Sequence, residues 1–469
     1  MRTIAVIGGG ITGLSAAYHL QKNRNAVQEE LRIVVIEAAG TLGGKISTHQ
    51  DGGFLMETGA DSIVTRKMNA GGLIEELGLG GKVVYNATGR SYIHVDGELK
   101  PIPDDTVFGI PMSLESLAKS TLVSAEGKVE ALRDWYTPNE TFTKNDTVGS
   151  FLEHFLGKEL VDKQIAPVLS GVYSGDLADL TIASTLPYLI EYKNEYGSII
   201  RGLSENKAKF KGTGGAKFMS FSGGMSVLID GLERRLLEGG AEIRKGVRTE
   251  RLVRDGDRYR LTLADGSELE AHDVILSIPH DAAQALLRDE VLDADFDRLK
   301  NSSLISVYMG FDIPDARLPA DGTGFIASRH SELVCNACTW TSRKWEHTSA
   351  GRQLLVRLFY KSSKPDYERL VRMTEQELLE VALADMRMSL GLSGQPVAYN
   401  VRKWEESMPN YHTRHPAVVK SLVSQTAERY PGLFLAGCSY YGVGIPDCIE
   451  SGEAAASQIL ERIGRGAAV

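Results

Sequence analysis

Residues 3–7 form a short, almost wholly apolar run, the pattern of a strand buried on both faces. A glycine turn follows at 8–13. From Ile11 the spacing becomes helical, with Leu14, Ala17, Tyr18 and Leu20 on one side, and a polar stretch at 21–30 leads to a second buried strand at 31–36 ending in Glu37. This predicts a β-α-β unit. Residues 92–99 alternate around Asp96-Gly97 and predict a hairpin, and helical periods dominate from Ser113 to about Arg201. Residues 204–217, with Lys207, Lys209 and Lys211 among glycines, predict a flexible solvated loop. Between Val247 and Ile278 three turns, at Asp255-Gly256, Asp265-Gly266 and near Asp273, separate short strands and predict a meander that extends the first domain. Further strands are expected at 305–311 and 354–360, and residues 431–460 return to strand, glycine loop and helix. Pieces from both ends of the chain are therefore expected to build one domain.

At 469 residues the chain is past the size at which one core stops growing, so two or three domains are expected. A hydrophobic content of 42% and a charged content of 24% are those of an ordinary soluble globular protein. The 49 glycines exceed the average and point to tight turns or to backbone that comes close to a ligand. A net charge of −9 argues against nucleic-acid binding, and any acidic ligand must be gripped by local Arg or Lys. No apolar run reaches the roughly 18 residues of a membrane span, and no charged-then-apolar leader precedes the first strand, so the protein is expected to be cytoplasmic. The four cysteines, Cys335, Cys338, Cys438 and Cys448, are too few for a disulfide scaffold. Cys335 and Cys338 stand in an extended stretch with no second pair at metal spacing, so no metal site is expected.

Gly8-Gly9-Gly10-Ile11-Thr12-Gly13 satisfies G-x-G-x-x-G directly after a strand and at the start of a helix, the context that gives the motif meaning. Gly8 permits the turn, Gly10 lets backbone N–H groups reach a pyrophosphate, and Gly13 allows close packing of helix on strand. Glu37 can accept hydrogen bonds from an adenosine ribose and repels a 2′-phosphate. These features predict a bound dinucleotide and leave NAD and FAD open. No second dinucleotide fingerprint follows mid-chain, since Gly212-Thr213-Gly214-Gly215 comes after lysines rather than a strand. An organic substrate, not a nicotinamide, is then expected to supply the electrons.

Leu42-Gly43-Gly44-Lys45 resembles the second glycine motif of the amine-oxidase-like flavoproteins, and 433–437 with 442–447 resemble their flavin-contacting C-terminal segment. Further runs carry a more specific likeness: Gly59-Ala60-Asp61-Ser62, Asn86-Ala87-Thr88-Gly89, Pro167 through Ser170 to Asp176, and Trp404-Glu405-Glu406-Ser407-Met408-Pro409. Over nearly its whole length the chain resembles the bacterial protoporphyrinogen and coproporphyrinogen oxidases, especially the soluble type of Gram-positive bacteria. One departure is Ala60, where proline is expected in many relatives.

The resemblance implies an α/β fold: a Rossmann-like FAD-binding domain of the two-dinucleotide-binding, amine-oxidase-like kind, an α+β substrate domain and a helical domain. The FAD domain is expected at 1–75, 215–285 and 400–469; the substrate domain at 76–91 and 286–399 with the 92–100 hairpin; the helical domain at 101–203, with a loop at 204–214. The implied FAD contacts are Gly8, Gly9, Gly10, Ile11, Thr12, Gly13, Glu37, Ala38, Gly44, Lys45, Gly59, Ala60, Asp61, Ser62, Val247, Trp404, Val443, Gly444 and Ile445. The implied reaction is oxidation of coproporphyrinogen III, with protoporphyrinogen IX as the alternative substrate, oxygen as acceptor and hydrogen peroxide as product. Product hand-over to a ferrochelatase and peripheral membrane contact go with the same family. The alternatives outside this reaction are a flavin amine oxidase, a carotenoid-type desaturase, or a non-enzymatic escort on the same fold.

A porphyrinogen gains aromaticity when oxidised, so the flavin carries the chemistry and no catalytic side chain is expected. Propionates need cations, best supplied by a guanidinium fork. Arg90 is the first candidate, and Arg66 and Lys67 the next. His412 and His415 are expected at the surface or as helix caps.

Overall fold

The computed structural model describes every residue except 66–68, 88, 174–176, 184, 211–217, 320, 413 and 467–469. Its central sheet has five parallel strands in the order Glu242–Lys245, Leu31–Glu37, Arg2–Ile7, Asp273–Leu276, Leu433–Leu435. Strand order reverses between Arg2–Ile7 and Asp273–Leu276, and in a doubly wound sheet the crevice beyond the carboxyl ends at such a point is where ligands bind. Ile4, Ala5, Val6, Val34, Val274 and Ile275 are all 0% exposed, which accounts for the unbroken apolar runs. One face is covered by the helices Ile11–Lys22, Ser226–Glu238 and Ile445–Gly466. The other carries a three-stranded antiparallel sheet and the helices His280–Leu287, Glu290–Phe296 and His415–Arg429.

That small sheet, Thr249–Asp255, Arg258–Leu263 and Glu268–Ala271, contains only the first two turns of the expected meander. After Ala271 the chain re-enters the parallel sheet. Asp273 has the look of a turn residue, yet it is fully buried and accepts from Arg2 Nε at 2.6 Å and from Arg462.

A second, mixed sheet has seven strands in the order Ala398–Asn410, Lys300–Pro314, Gln353–Lys361, Ala337–Thr339, Gly322–Ala327, Arg90–Val95, Glu98–Pro101. The expected hairpin is its edge, turning at Asp96 (φ 53°) and Gly97 (φ 77°). The helix Glu375–Leu390 packs on this sheet and starts with a full capping box between Thr374 and Glu377. A separate core lies under the helices that begin at Leu114–Lys119. The stretch from Ser204 onward is not a loop as far as Phe210: it completes the helix Ile199–Glu205 and forms Lys207–Phe210, with Lys207 paired to Asp105 at 2.5 Å. The rest of that expected loop, 211–217, lies outside the described residues. Among the described residues no helix is long and apolar enough to cross a membrane.

The two large sheets are joined through the backbone at Thr58 and Gly59. Arg357, 4% exposed on the Gln353–Lys361 strand, donates to the Gly59 carbonyl at 3.0 Å and the Thr58 carbonyl at 3.3 Å. Its guanidinium lies 5.0 Å from the Tyr308 ring and 4.7 Å from the Phe359 ring. Trp404 adds an indole N–H bond to the Thr58 carbonyl at 3.0 Å. Removing a buried charged donor leaves its acceptors unpaired. Arg357→Met is therefore expected to cost about 3 kcal/mol, measured by chemical denaturation of the apo-protein. Lys119→Met, which removes only an exposed pair with Glu115, is expected to leave the midpoint unchanged.

Candidate cofactor site

The glycine turn sits at the reversal of strand order, as its motif requires. Ser277, at the end of the Asp273–Leu276 strand, places its hydroxyl 2.9 Å from both the Ile7 and the Gly8 carbonyls. A Cβ on Gly13 would stand 2.0 Å from the Gly8 carbonyl oxygen, so only glycine lets the first helix start this close to the strand. A Cβ on Gly452 would stand 2.2 Å from the Thr12 carbonyl oxygen. The helices Ile11–Lys22 and Ile445–Gly466 thus touch backbone to backbone, with residues of both first turns facing one cavity.

That cavity has a volume of about 770 Å³. At one end Glu37 accepts from Gly9 N–H at 2.7 Å and from Ala39 N–H at 2.8 Å, holding the glycine turn to the second strand. Ala38, Val247 and Arg248 complete that end, and Lys45, Ala60, Val443 and Ile445 are also in its wall. Between the ends, Gly10 faces open space: a Cβ there would have only the Gly43 carbonyl oxygen within 4 Å, at 3.9 Å. Both helix N-termini bring partial positive charge to the wall.

Of the residues expected to contact a dinucleotide, Gly8, Gly10, Ile11, Thr12, Glu37, Ala38, Gly44, Lys45, Ala60, Val247, Val443 and Ile445 line the cavity. Gly9, Gly13, Gly59, Asp61, Ser62, Gly444 and Trp404 are not among the lining residues. Asp61 pairs with Lys344 at 3.4 Å; burial opposes its charge, but Lys344 and Arg357 hold its carboxyl below the usual range. Gly444 N–H is capped by Asp447 at 3.2 Å. Trp404 is the core aromatic that fastens Thr58. Arg90 borders a different, polar cavity of about 470 Å³, where it pairs with Asp104 at 2.8 Å and Asp321 at 2.7 Å. Arg66 and Lys67 lie outside the described residues.

Several wall residues carry no sequence signal strong enough to single them out, among them Ser277, Arg248, Cys438 and Ser439. The support for the C-terminal loop is equally silent. Tyr411, just past the Ala398–Asn410 strand, donates its hydroxyl to the Cys438 carbonyl at 2.6 Å and accepts from Gly442 N–H at 2.6 Å, pinning both ends of that loop. His415 corrects the expectation of a surface histidine. It is 4% exposed, stacks on Tyr411 with centroids 4.0 Å apart and donates to the Ser439 carbonyl at 3.0 Å. Burial lowers its pKa. His412 bonds the Arg298 carbonyl at 2.9 Å. Cys335 and Cys338 are buried at 0% and 2% exposure, and burial pushes both thiols up.

Residues 11–460 match the model of the flavin containing amine oxidoreductase family. The coproporphyrinogen III oxidase of Bacillus subtilis is 34% identical over 97% of this chain and 97% of its own. That of Staphylococcus aureus is 30% identical over 98% of this chain and 100% of its own. A crystal structure from Exiguobacterium, provisionally named a protoporphyrinogen oxidase, superposes with a TM-score of 0.88 at 32% identity, covering 98% of this chain and 99% of that one.

The cavity's chemistry fits a flavin dinucleotide: a carboxylate at one end, an open glycine cradle at two helix N-termini, and a volume in the range of cofactor clefts. Two glycine substitutions separate binding from folding. Gly10→Val, at a position with φ −75° that any residue adopts, is expected to abolish FAD uptake while changing apo-protein stability by about 1 kcal/mol or less. Gly13→Ala is expected to destabilise the apo-protein by about 1–3 kcal/mol through its clash with Gly8. Flavin absorbance after reconstitution and denaturation midpoints measure the two effects.

Proposed function

The chain belongs to the flavin containing amine oxidoreductases and takes FAD as its cofactor, and on that basis we propose that it oxidises coproporphyrinogen III to coproporphyrin III in haem synthesis. The observation that carries this reading is end-to-end similarity, at 34% and 30% identity, to relatives named for that reaction. Held in the cavity by its lining residues, FAD would supply the two-electron acceptor for the substrate's hydrogens, with oxygen as the proposed final acceptor and hydrogen peroxide as its product. The chain's own residues bind and orient. Glu37 and Val247 stand at the adenosine end, the helix N-terminus at Gly10 favours negative charge, and the Arg357–Trp404 clasp fixes the backbone next to Ala60. Since the seven-stranded sheet reaches the cavity wall through that clasp, the substrate is proposed to enter from the sheet side.

Protoporphyrinogen IX is the second reading, supported by the name of the Exiguobacterium structure. A porphyrinogen's propionates distinguish it from an amine substrate, and Arg90 is the proposed anchor. For that role a substrate carboxylate must compete with Asp104 and Asp321, whose side chains are 76% and 51% exposed. Cytoplasmic location and transfer of the product to a ferrochelatase complete the proposal.

With reconstituted holoenzyme under anaerobic conditions, coproporphyrinogen III is expected to bleach the flavin faster than protoporphyrinogen IX, while NADH and NADPH leave it oxidised. Bleaching by neither porphyrinogen refutes the substrate assignment, and a chain that stays colourless with FAD is an escort rather than an enzyme. Arg90→Ala is expected to raise KM for coproporphyrinogen more than it lowers kcat. An unchanged KM with a lowered melting temperature leaves Arg90 as the ion-pair partner of Asp104 and Asp321 alone.

A further inference from the structure

Two thiols in the cavity wall take no part in the reaction proposed above. Cys438 follows the Leu433–Leu435 strand and Cys448 stands in the first turn of the helix Ile445–Gly466; both line the cavity. Lys45, from the second glycine motif, places its Nζ 3.5 Å from Cys438 Sγ. The Cys448 thiol donates to the Gly442 carbonyl at 3.7 Å, in the loop that Cys438 opens, and the two thiols interact closely enough to shift each other's protonation. Three separate elements therefore bring an ammonium and two thiols together in one wall.

We propose that Cys438 and Cys448 form a peroxide-operated thiol pair that governs cofactor loading: reduced, the cavity accepts FAD; joined as a disulfide, it does not. The chemistry of the pair is asymmetric in the way such a reaction needs. Interaction with Cys448, helped by the Lys45 ammonium 3.5 Å away, holds the Cys438 thiol below the usual range despite its burial, while Cys448 is pushed up by the same interaction and by burial. The lower-pKa sulfur attacks and the other resolves. Cys438 thiolate displaces hydroxide from a hydroperoxide's O–O bond and becomes a sulfenic acid. The Cys448 thiol gives its proton to that hydroxide, and its sulfur displaces the sulfenic oxygen, which leaves as water once protonated. Overall the two thiols and one hydrogen peroxide give one disulfide and two waters, the sulfenic oxygen leaving with the proton that Cys438 gave up on ionising. Drawing the sulfurs to the roughly 2 Å of a covalent S–S bond shifts the 438–448 loop, whose Val443 and Ile445 are themselves cavity wall.

Because both sulfurs line the cavity, bound FAD shields them, so the pair responds to oxidant in the apo-protein. Cys335 and Cys338 serve as an internal control, being buried in the other sheet's core with raised pKa values. The inference rests on the flavin reading of the cavity and not on the porphyrinogen.

The test uses the full-length apo-protein, prepared reduced and then treated with hydrogen peroxide. FAD uptake, followed by the quenching of flavin fluorescence, is expected to fall several-fold and to return with dithiothreitol. Peptide mapping is expected to show a Cys438–Cys448 disulfide in the treated sample, and holoprotein given the same treatment is expected to lack it. Cys448→Ala is expected to stop at a sulfenic acid on Cys438 that dimedone traps; the wild-type mapping stands whether or not this variant folds. Unchanged FAD uptake after peroxide, a loss that dithiothreitol does not reverse, or oxidation found at Cys335 and Cys338 instead overturns the proposal. Failure of the reduced, untreated protein to take up FAD refutes the flavin reading rather than the thiol pair.

Discussion

Backbone approach closer than any side chain permits is the constraint on which the site depends. At Gly13 the first helix meets the turn it grows from, and at Gly452 the last helix meets the first; an added Cβ would come within 2.0 and 2.2 Å of a carbonyl oxygen. These contacts put two helix N-termini side by side at the reversal of strand order. Residues more than four hundred positions apart thus become one wall. Without either glycine the helices would stand off by the width of a methyl group, and the cavity would lose its closure along the stretch from Gly10 to Ile445 where a pyrophosphate needs N–H donors.

The second sheet is held to that wall by apolar packing of Phe54 and Met56 on Tyr308, Leu355 and Ala398, and its register there is set by polar contacts. Arg357 and Trp404 both spend their donors on the carbonyls of Thr58 and Gly59, next to the cavity residue Ala60. Two hydrogen-bonded anchors on consecutive carbonyls fix the position and the direction of the backbone, which a greasy contact of the same area would not. Arg357 is itself held between Tyr308 and Phe359, so its position is set by the packed core of the sheet.

How much of this was legible in the sequence depended on how far apart the cooperating residues lie. The glycine turn, its strand and Glu37 fall within one β-α-β unit, and their spacing alone predicted the geometry found. Tyr411 and Ser277 were silent because their roles exist only once distant segments meet: Tyr411 bonds Cys438 and Gly442, and Ser277 bonds the Gly8 turn. His415 was misread for the same reason, since its burial is created by Tyr411 and Ser439. Asp273 resembled a turn residue because aspartate before an apolar run is ambiguous, and only its partners Arg2 and Arg462 make it a core charge. Lysines at 207 and 209 suggested solvated loop, but one turn of helix with Lys207 paired to Asp105 presents the same polarity.

Charge poses the remaining problem and shows why the wall is built as it is. A chain with net charge −9 offers no attractive overall field to a dinucleotide diphosphate or to the proposed substrate with its four carboxylates, and charges farther away than the Debye length of about 8 Å are largely screened. Attraction must therefore come from groups within that length, where the distant carboxylates are screened and a local field dominates. Backbone amides at the helix N-terminus beside Gly10 meet part of this need; at the other N-terminus the Gly444 N–H already faces the Asp447 carboxylate, and Arg248 and Arg288 in the wall add side-chain charge. Lys45 is the one ammonium of the second glycine motif in the same wall, and it faces the sulfur of Cys438. The wall thus offers an anion fixed backbone dipoles together with the local cations Lys45, Arg248 and Arg288.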